Sequence, residues 1–141
     1  MNYINMNFSY SDFLVGPHLI GLLFVLIGLL QKYLPPKNIN RWYGYRTPTA
    51  RTNQKTWDEG NRYSANYMIK AGLILLVVGF IINTLVILYA DEGVQKLVTY
   101  VILFGGAMIV GILSTMRTEK HLLKTFKLKK PVRPNAVRKL R

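Results

Sequence analysis

The sequence predicts an all-α membrane protein with three transmembrane helices, its N-terminus outside and its C-terminus inside. Half of the 141 residues are hydrophobic, and they fall in blocks rather than with globular periodicity. Residues 13–31 carry no charged side chain with His18 neutral, and residues 71–90 and 97–116 are each 20 residues without a charge. About 20 helical residues at 1.5 Å each cross a hydrocarbon core of roughly 30 Å. The net charge of +13 sets the orientation, because it is segregated. No Lys or Arg precedes the first run, whereas the first loop holds Lys32, Lys37, Arg41, Arg46, Arg51, Lys55 and Arg62. The second loop holds only Lys96, beside Asp91 and Glu92, and the tail holds most of the remainder. The positive-inside rule then places the first loop and the tail inside. A spanning barrel would instead need alternating segments of about ten residues, enough of them to close its edge.

One integral-membrane domain over 1–141 follows. It comprises an outside tail (1–15), a first span (16–34), an inside loop with an interfacial helix (35–66), a second span (67–90), an outside turn (91–96), a third span (97–116) and a basic inside tail (117–141). Gly16-Pro17 can open the first helix, with proline at the first helical position, and Pro35-Pro36 end it. A start at Ser11 or Asp12, with a kink at Pro17, is the alternative. The N-terminus lacks a basic n-region and no small-x-small cleavage site follows, so the first helix is expected to remain in the mature protein. After Pro48, Thr52 or Asn53 can cap a helix in which Lys55 with Glu59 and Asp58 with Arg62 fall at i, i+4. It is expected to run to about Tyr67 at the inner interface, with Trp57, Asn61, Ser64 and Met68 on one face. Gly21 and Gly28, then Gly72 and Gly79, recur after seven residues, and Ala107 with Gly111 is a small-xxx-small pair. Such residues let membrane helices approach closely, within a three-helix bundle or across a homodimer. In the tail, Leu122, Leu123 and Phe126 against Lys120, Lys124 and Lys127 suit an interfacial extension of the third helix. Anionic inner-leaflet headgroups are the expected partner of this tail.

Several function classes are disfavoured. There is no cysteine, hence no thiolate chemistry. No Ser-His-Asp set, paired carboxylates or Walker loop appears, and the six acids lie outside the spans, so neither an enzyme, a cofactor nor a proton-coupled transporter is expected. His18 and His121 are predicted on opposite sides of the membrane without further ligands, so no metal site is expected. Lys70 is expected to snorkel to headgroups, and Asn83 and Thr84 to bond within the helix bundle. The basic charge follows the membrane, not nucleic acid.

The informative segment is the first loop, where two Trp and four Tyr are concentrated with Arg in the run Asn40-Arg41-Trp42-Tyr43-Gly44-Tyr45-Arg46-Thr47-Pro48 and in Trp57, Asn61, Arg62, Tyr63 and Tyr67. The candidate binding residues are Tyr43, Gly44, Arg46, Thr47, Pro48, Trp57, Asn61 and Arg62. Gly44 can take a positive torsion that aims Arg46 inward, with Pro48 fixing the exit, or the segment is an ordinary turn with Arg46 on phosphate. Trp57 is either a recognition anchor or, more commonly for its type, an interfacial-belt residue. Arg62 can pair with Asp58, which leaves Asn61 without an obvious partner. The Gly44-Tyr45-Arg46-Thr47-Pro48 core, Trp57 nine residues later, Asn61-Arg62 and the Ala71-Gly72 opening of a membrane helix resemble the SdpI family of bacterial membrane proteins, over roughly residues 37–88. The resemblance implies a small multi-pass protein of the bacterial cytoplasmic membrane with a motif-bearing cytoplasmic loop. It further implies immunity to, or sensing of, a membrane-active peptide toxin. An accessory subunit beside a partner membrane protein and an anionic-lipid headgroup binder are the alternatives.

Overall fold

The computed structural model describes residues 16–128, and the regular structure among them is helical, with three α-helices. Helix α1 runs His18–Tyr33, a 3-10 turn spans Ala50–Thr52, α2 runs Gln54–Tyr89 and α3 runs Glu92–Thr125. The expected outside tail and the end of the basic tail lie outside the described residues. Helices α2 and α3, of 36 and 34 residues, are long and apolar enough to cross a membrane. Helix α1 is apolar but has 16 residues, about 24 Å of rise, less than a bilayer core.

Helix α2 differs from the expected layout. The expected inside helix and the second span are one uninterrupted helix, so residues 54–66 continue the helix of the span without a break. No proline occurs between Pro48 and Pro131, and the i→i−4 ladder therefore has no reason to stop near Tyr67. Of the two expected caps, Asn53 is used: its side chain accepts from the Thr56 N–H, and Thr56 Oγ1 accepts from the Asn53 N–H. Helix α3 is likewise continuous through Thr125, capped by Asp91 accepting from the Val94 N–H.

Helices α1 and α2 are antiparallel and touch backbone to backbone. A Cβ at Gly21 would lie 2.3 Å from the Leu76 nitrogen and 2.7 Å from the Gly72 carbonyl oxygen, and one at Gly72 would lie 2.8 Å from the Gly21 oxygen. Toward the loop, Gly28 meets the Ala65 carbonyl and Ile69; at the opposite end, Gly79 meets the backbone of His18. The seven-residue glycine spacing is thus spent on the α1–α2 contact inside one chain. On α3 the expected small pair is not the packing face: Gly111 is exposed with open space around it. Val110, Ser114, Thr118 and Leu122, four residues apart, are buried instead. Leu122 is fully buried and lies against Gly60, so the basic extension of α3 packs on the prolongation of α2.

The distribution of polarity is the reverse of a water-soluble bundle. Buried side chains include Gln31, Thr49, Thr56, Asn61, Ser64, Asn83, Ser114 and Thr118, while Leu22, Leu26, Leu30, Ile74, Phe80, Phe104 and Met108 are exposed. Continuous apolar surface of this kind would drive association in water and is matched by lipid.

Candidate functional site

The site is built where α1 ends, where the loop folds back and where α2 and α3 extend beyond their apolar stretches. Its centre is Asn61, 1% exposed. The Asn61 Oδ1 accepts from the Tyr45 backbone N–H at 2.6 Å and from Gln31 Nε2 at 3.1 Å, while its Nδ2 donates to the Trp57 carbonyl at 2.8 Å. The Gln31 amide also reaches the Asn61 carbonyl at 3.0 Å and Ser64 Oγ at 2.7 Å. One amide side chain on α2 therefore holds the last turn of α1 and the middle of the loop together. An unmade bond at such a buried group costs about 1–3 kcal/mol, which is why the network is satisfied on every side that packs.

Gly44 makes this approach feasible. Its φ is +96°, and a Cβ there would lie 2.3 Å from Asn61 Oδ1 and 2.7 Å from Pro36. The positive torsion expected at Gly44 is present, but the side chain it brings inward is Tyr45, not Arg46. Arg46 is exposed, and its guanidinium donates to the Arg41 carbonyl. Pro48 is exposed, Thr47 Oγ1 accepts from the Ala50 N–H at 3.3 Å, and Tyr43 is half-buried with its hydroxyl enclosed. Burial raises the Tyr43 phenol above its ordinary range.

Trp57 is the clearest correction. It is 0% exposed and donates from Nε1 to the Pro36 carbonyl at 2.9 Å, pinning the start of the loop to α2. An interfacial-belt role needs a ring at the surface, and the tryptophan found there is Trp42, 90% exposed. Arg62 also pairs differently: it makes a bidentate contact with Glu59 at 2.8 and 2.9 Å, one turn back, while Asp58 accepts from Gln54 at 2.7 Å.

Two contacts that sequence reasoning missed fasten α3 to this assembly. Glu119 accepts from the Tyr45 hydroxyl at 3.0 Å and from Thr49 Oγ1 at 2.6 Å. Burial, followed by the negative charge of Glu119, pushes the Tyr45 phenol well above its usual range, so it stays a donor. His121 lies 2.6 Å from Glu59 and stacks on Tyr63 with ring centroids 4.1 Å apart. His18 packs against Gly79, twenty residues and about 30 Å along α2 from Glu59, so the two histidines share no site. Only Gln31 carried a usable signal, since it follows Gly28 by three residues and so falls on the glycine face of α1.

The Glu59 cluster predicts a pH dependence. The hydrogen bonds from Arg62 hold the Glu59 carboxyl below its ordinary range. A depressed carboxylate stabilises the fold fully above its unfolded pKa and loses that contribution as pH falls through the lower, folded value. Wild type should therefore lose more thermal stability than Glu59→Gln between neutral pH and pH about 3. Because Arg62 is 67% exposed, the difference at neutral pH should be about 1 kcal/mol or less. Parallel Tm-versus-pH curves for the two proteins would exclude this role.

These features define a class: a helical membrane protein whose polar loop is locked onto the ends of its helices. The model of the SdpI/YfhL protein family matches residues 37–117, more than half of the chain, and the chain belongs to that family. A Bacillus subtilis (strain 168) protein named only as uncharacterized protein YfhL is 44% identical over 64 residues, covering 45% of this chain and 58% of the relative. The chain thus matches little more than half the length of that relative. No solved structure matches.

Proposed function

We propose that this chain is a non-enzymatic, multi-pass protein of a bacterial cytoplasmic membrane that confers immunity to, or senses, a membrane-active peptide by binding it. In this reading the N-terminus is outside, and the loop and the α3 extension are inside. The observation that carries the reading is the uneven packing of α3. None of its residues before Val110 is buried, whereas beyond that point it is tied to α2 by Leu122 and to the loop through Glu119. An apolar peptide lodging beside the half of α3 nearer Glu92 would bias that helix against α1 and α2. The contacts of Glu119 with Tyr45 and Thr49 would transmit the change to the loop, where Arg46 is displayed. Family membership supports the class of protein, and the apolar exposed faces support a partner met within the bilayer.

The test is growth of a sensitive Bacillus subtilis strain expressing the chain, challenged with a panel of hydrophobic and cationic membrane-active peptides. Expression should protect against at least one peptide. Arg46→Lys should abolish that protection at normal expression, because one guanidinium nitrogen is committed to the Arg41 carbonyl and a lysine cannot both make that bond and present a planar fork. Arg51→Lys is the control and should protect fully. No protection against any peptide would refute the binding reading, and equal protection by both variants would remove Arg46 from it.

A further inference from the structure

The exposed rim of the loop has a composition and a placement that the locked core beneath it does not explain. From Lys32 to Trp57 the chain contains Lys32, Lys37, Arg41, Arg46, Arg51 and Lys55 and no acidic residue. On the same rim Trp42 is 90% exposed, Tyr33 72% and Leu34 64%. Trp42 is held in this position by the fold around it. Asn40 Oδ1 accepts from the N–H groups of both Trp42 and Tyr43 at 2.9 Å, an Asx arrangement that fixes the turn. The Arg46 guanidinium on the Arg41 carbonyl sets a cation directly beside the Arg41–Trp42 peptide. A largely exposed indole on a fixed turn, with Arg41 and Arg46 beside it, is costly in water and suited to the headgroup layer, where an apolar ring and a polar N–H are both accommodated.

Depth agrees with composition. The exposed leucines of α1 continue to Leu30, which lies one turn before the exposed Tyr33 and Leu34. The loop returns to α2 at Asn61, four residues or about 6 Å beyond Ala65, the residue that faces Gly28. Trp42, two residues before Gly44, is therefore carried at the level where apolar surface gives way to the prolonged helices. Headgroup layers extend about 5–8 Å beyond the hydrocarbon on each side.

We propose that this rim is an anionic-lipid docking surface: Trp42 inserts among the headgroups of the bilayer that holds the helices, and Lys32, Lys37, Arg41 and Arg46 engage their phosphates. The proposal rests on the membrane-spanning reading and is independent of any toxin. It assigns to Trp42 the interfacial position and to Trp57 the interior one. The phosphate charge complements a rim on which six cations, Lys32 to Lys55, outnumber the one neighbouring acid, Asp58, whose carboxylate is engaged by Gln54, and this excess favours the dense charge of a lipid surface.

The test reconstitutes the whole chain in nanodiscs of pure phosphatidylcholine and of phosphatidylcholine mixed with phosphatidylglycerol. Tryptophan fluorescence is quenched with lipids brominated near the glycerol end of the acyl chain, or with aqueous iodide. Trp42→Phe leaves Trp57 alone, so the difference from wild type isolates Trp42. The Trp42 emission should be blue-shifted and bromolipid-quenched, more strongly with phosphatidylglycerol, and that increment should shrink in high salt. Combining Lys32→Gln, Lys37→Gln and Arg41→Gln should abolish the increment while leaving the Trp57 emission unchanged, which reports an intact fold. Iodide quenching of Trp42 to the level of free tryptophan in both discs would overturn the proposal and leave the rim to a soluble anionic partner. Insertion independent of phosphatidylglycerol would overturn the phosphate contact. Release of the chain from discs by alkaline carbonate would overturn the membrane reading and this proposal with it.

Discussion

Gly21→Ala should destabilise the protein by about 3 kcal/mol, because the new methyl would sit 2.3 Å from the Leu76 nitrogen and 2.6 Å from its Cα. Both are backbone atoms of a helix, so no side-chain rotation can relieve the clash. The helices must separate along a contact that also includes Gly28, Gly72 and Gly79, and the polar network beyond Gly28 would be stretched with it. Gly111→Ala is the matched control: its Cβ would meet open space, and in a helix interior alanine is favoured over glycine by about 1 kcal/mol. Thermal unfolding of the two variants in the same detergent checks the pair. A Gly21→Ala protein as stable as wild type would mean that α1 and α2 do not cross as closely as described.

Asn61→Ala is the second large effect. The substitution removes the acceptor for the Tyr45 N–H, one acceptor of the Gln31 amide and the donor to the Trp57 carbonyl, all in a buried setting. With about 1–3 kcal/mol for each buried group left unpaired, and the Gln31 amide still bonded to Ser64, a net loss of about 3 kcal/mol is expected. Unlike the glycine change, it should act locally. The α1–α2 contact at Gly21 meets α2 at Gly72 and Leu76, about three to four turns from Asn61, and makes no use of it, so the loop should loosen before the helices part.

Much of this architecture is legible in the chain, and the limits follow from range. The two long helices, the Asn53 cap and the seven-residue glycine spacing are local signals, readable from charge-free length, capping chemistry and helical period. The shared face of Trp57, Asn61 and Ser64 is also readable, because helical periodicity fixes it wherever the helix lies. What covers that face is not, since the partners of Asn61 lie 16 and 30 residues away in sequence. For the same reason the sequence points Trp57 toward the membrane interface, a default for an aromatic residue beside a span, and not toward the Pro36 carbonyl that holds it. The error at Arg62 has a different origin. Asp58 and Glu59 are adjacent, both within helical reach of Arg62, and the partners that engage each of them, Gln54 on Asp58 and the distant His121 on Glu59, are not readable from helical spacing.

Amide hydrogen exchange across the loop tests the central claim, that the motif is locked onto α2 through Asn61. In the purified wild-type protein the amides of Tyr43 and Tyr45 should be protected, because their N–H groups are bonded to Asn40 and Asn61. In Asn61→Ala the Tyr45 amide should exchange faster by about two orders of magnitude, as expected for a loss of about 3 kcal/mol in local opening, while α2 beyond Gly72 keeps its protection. Exchange at the rate of an unstructured chain in the wild type, or an unchanged Tyr45 rate in the variant, would contradict the account.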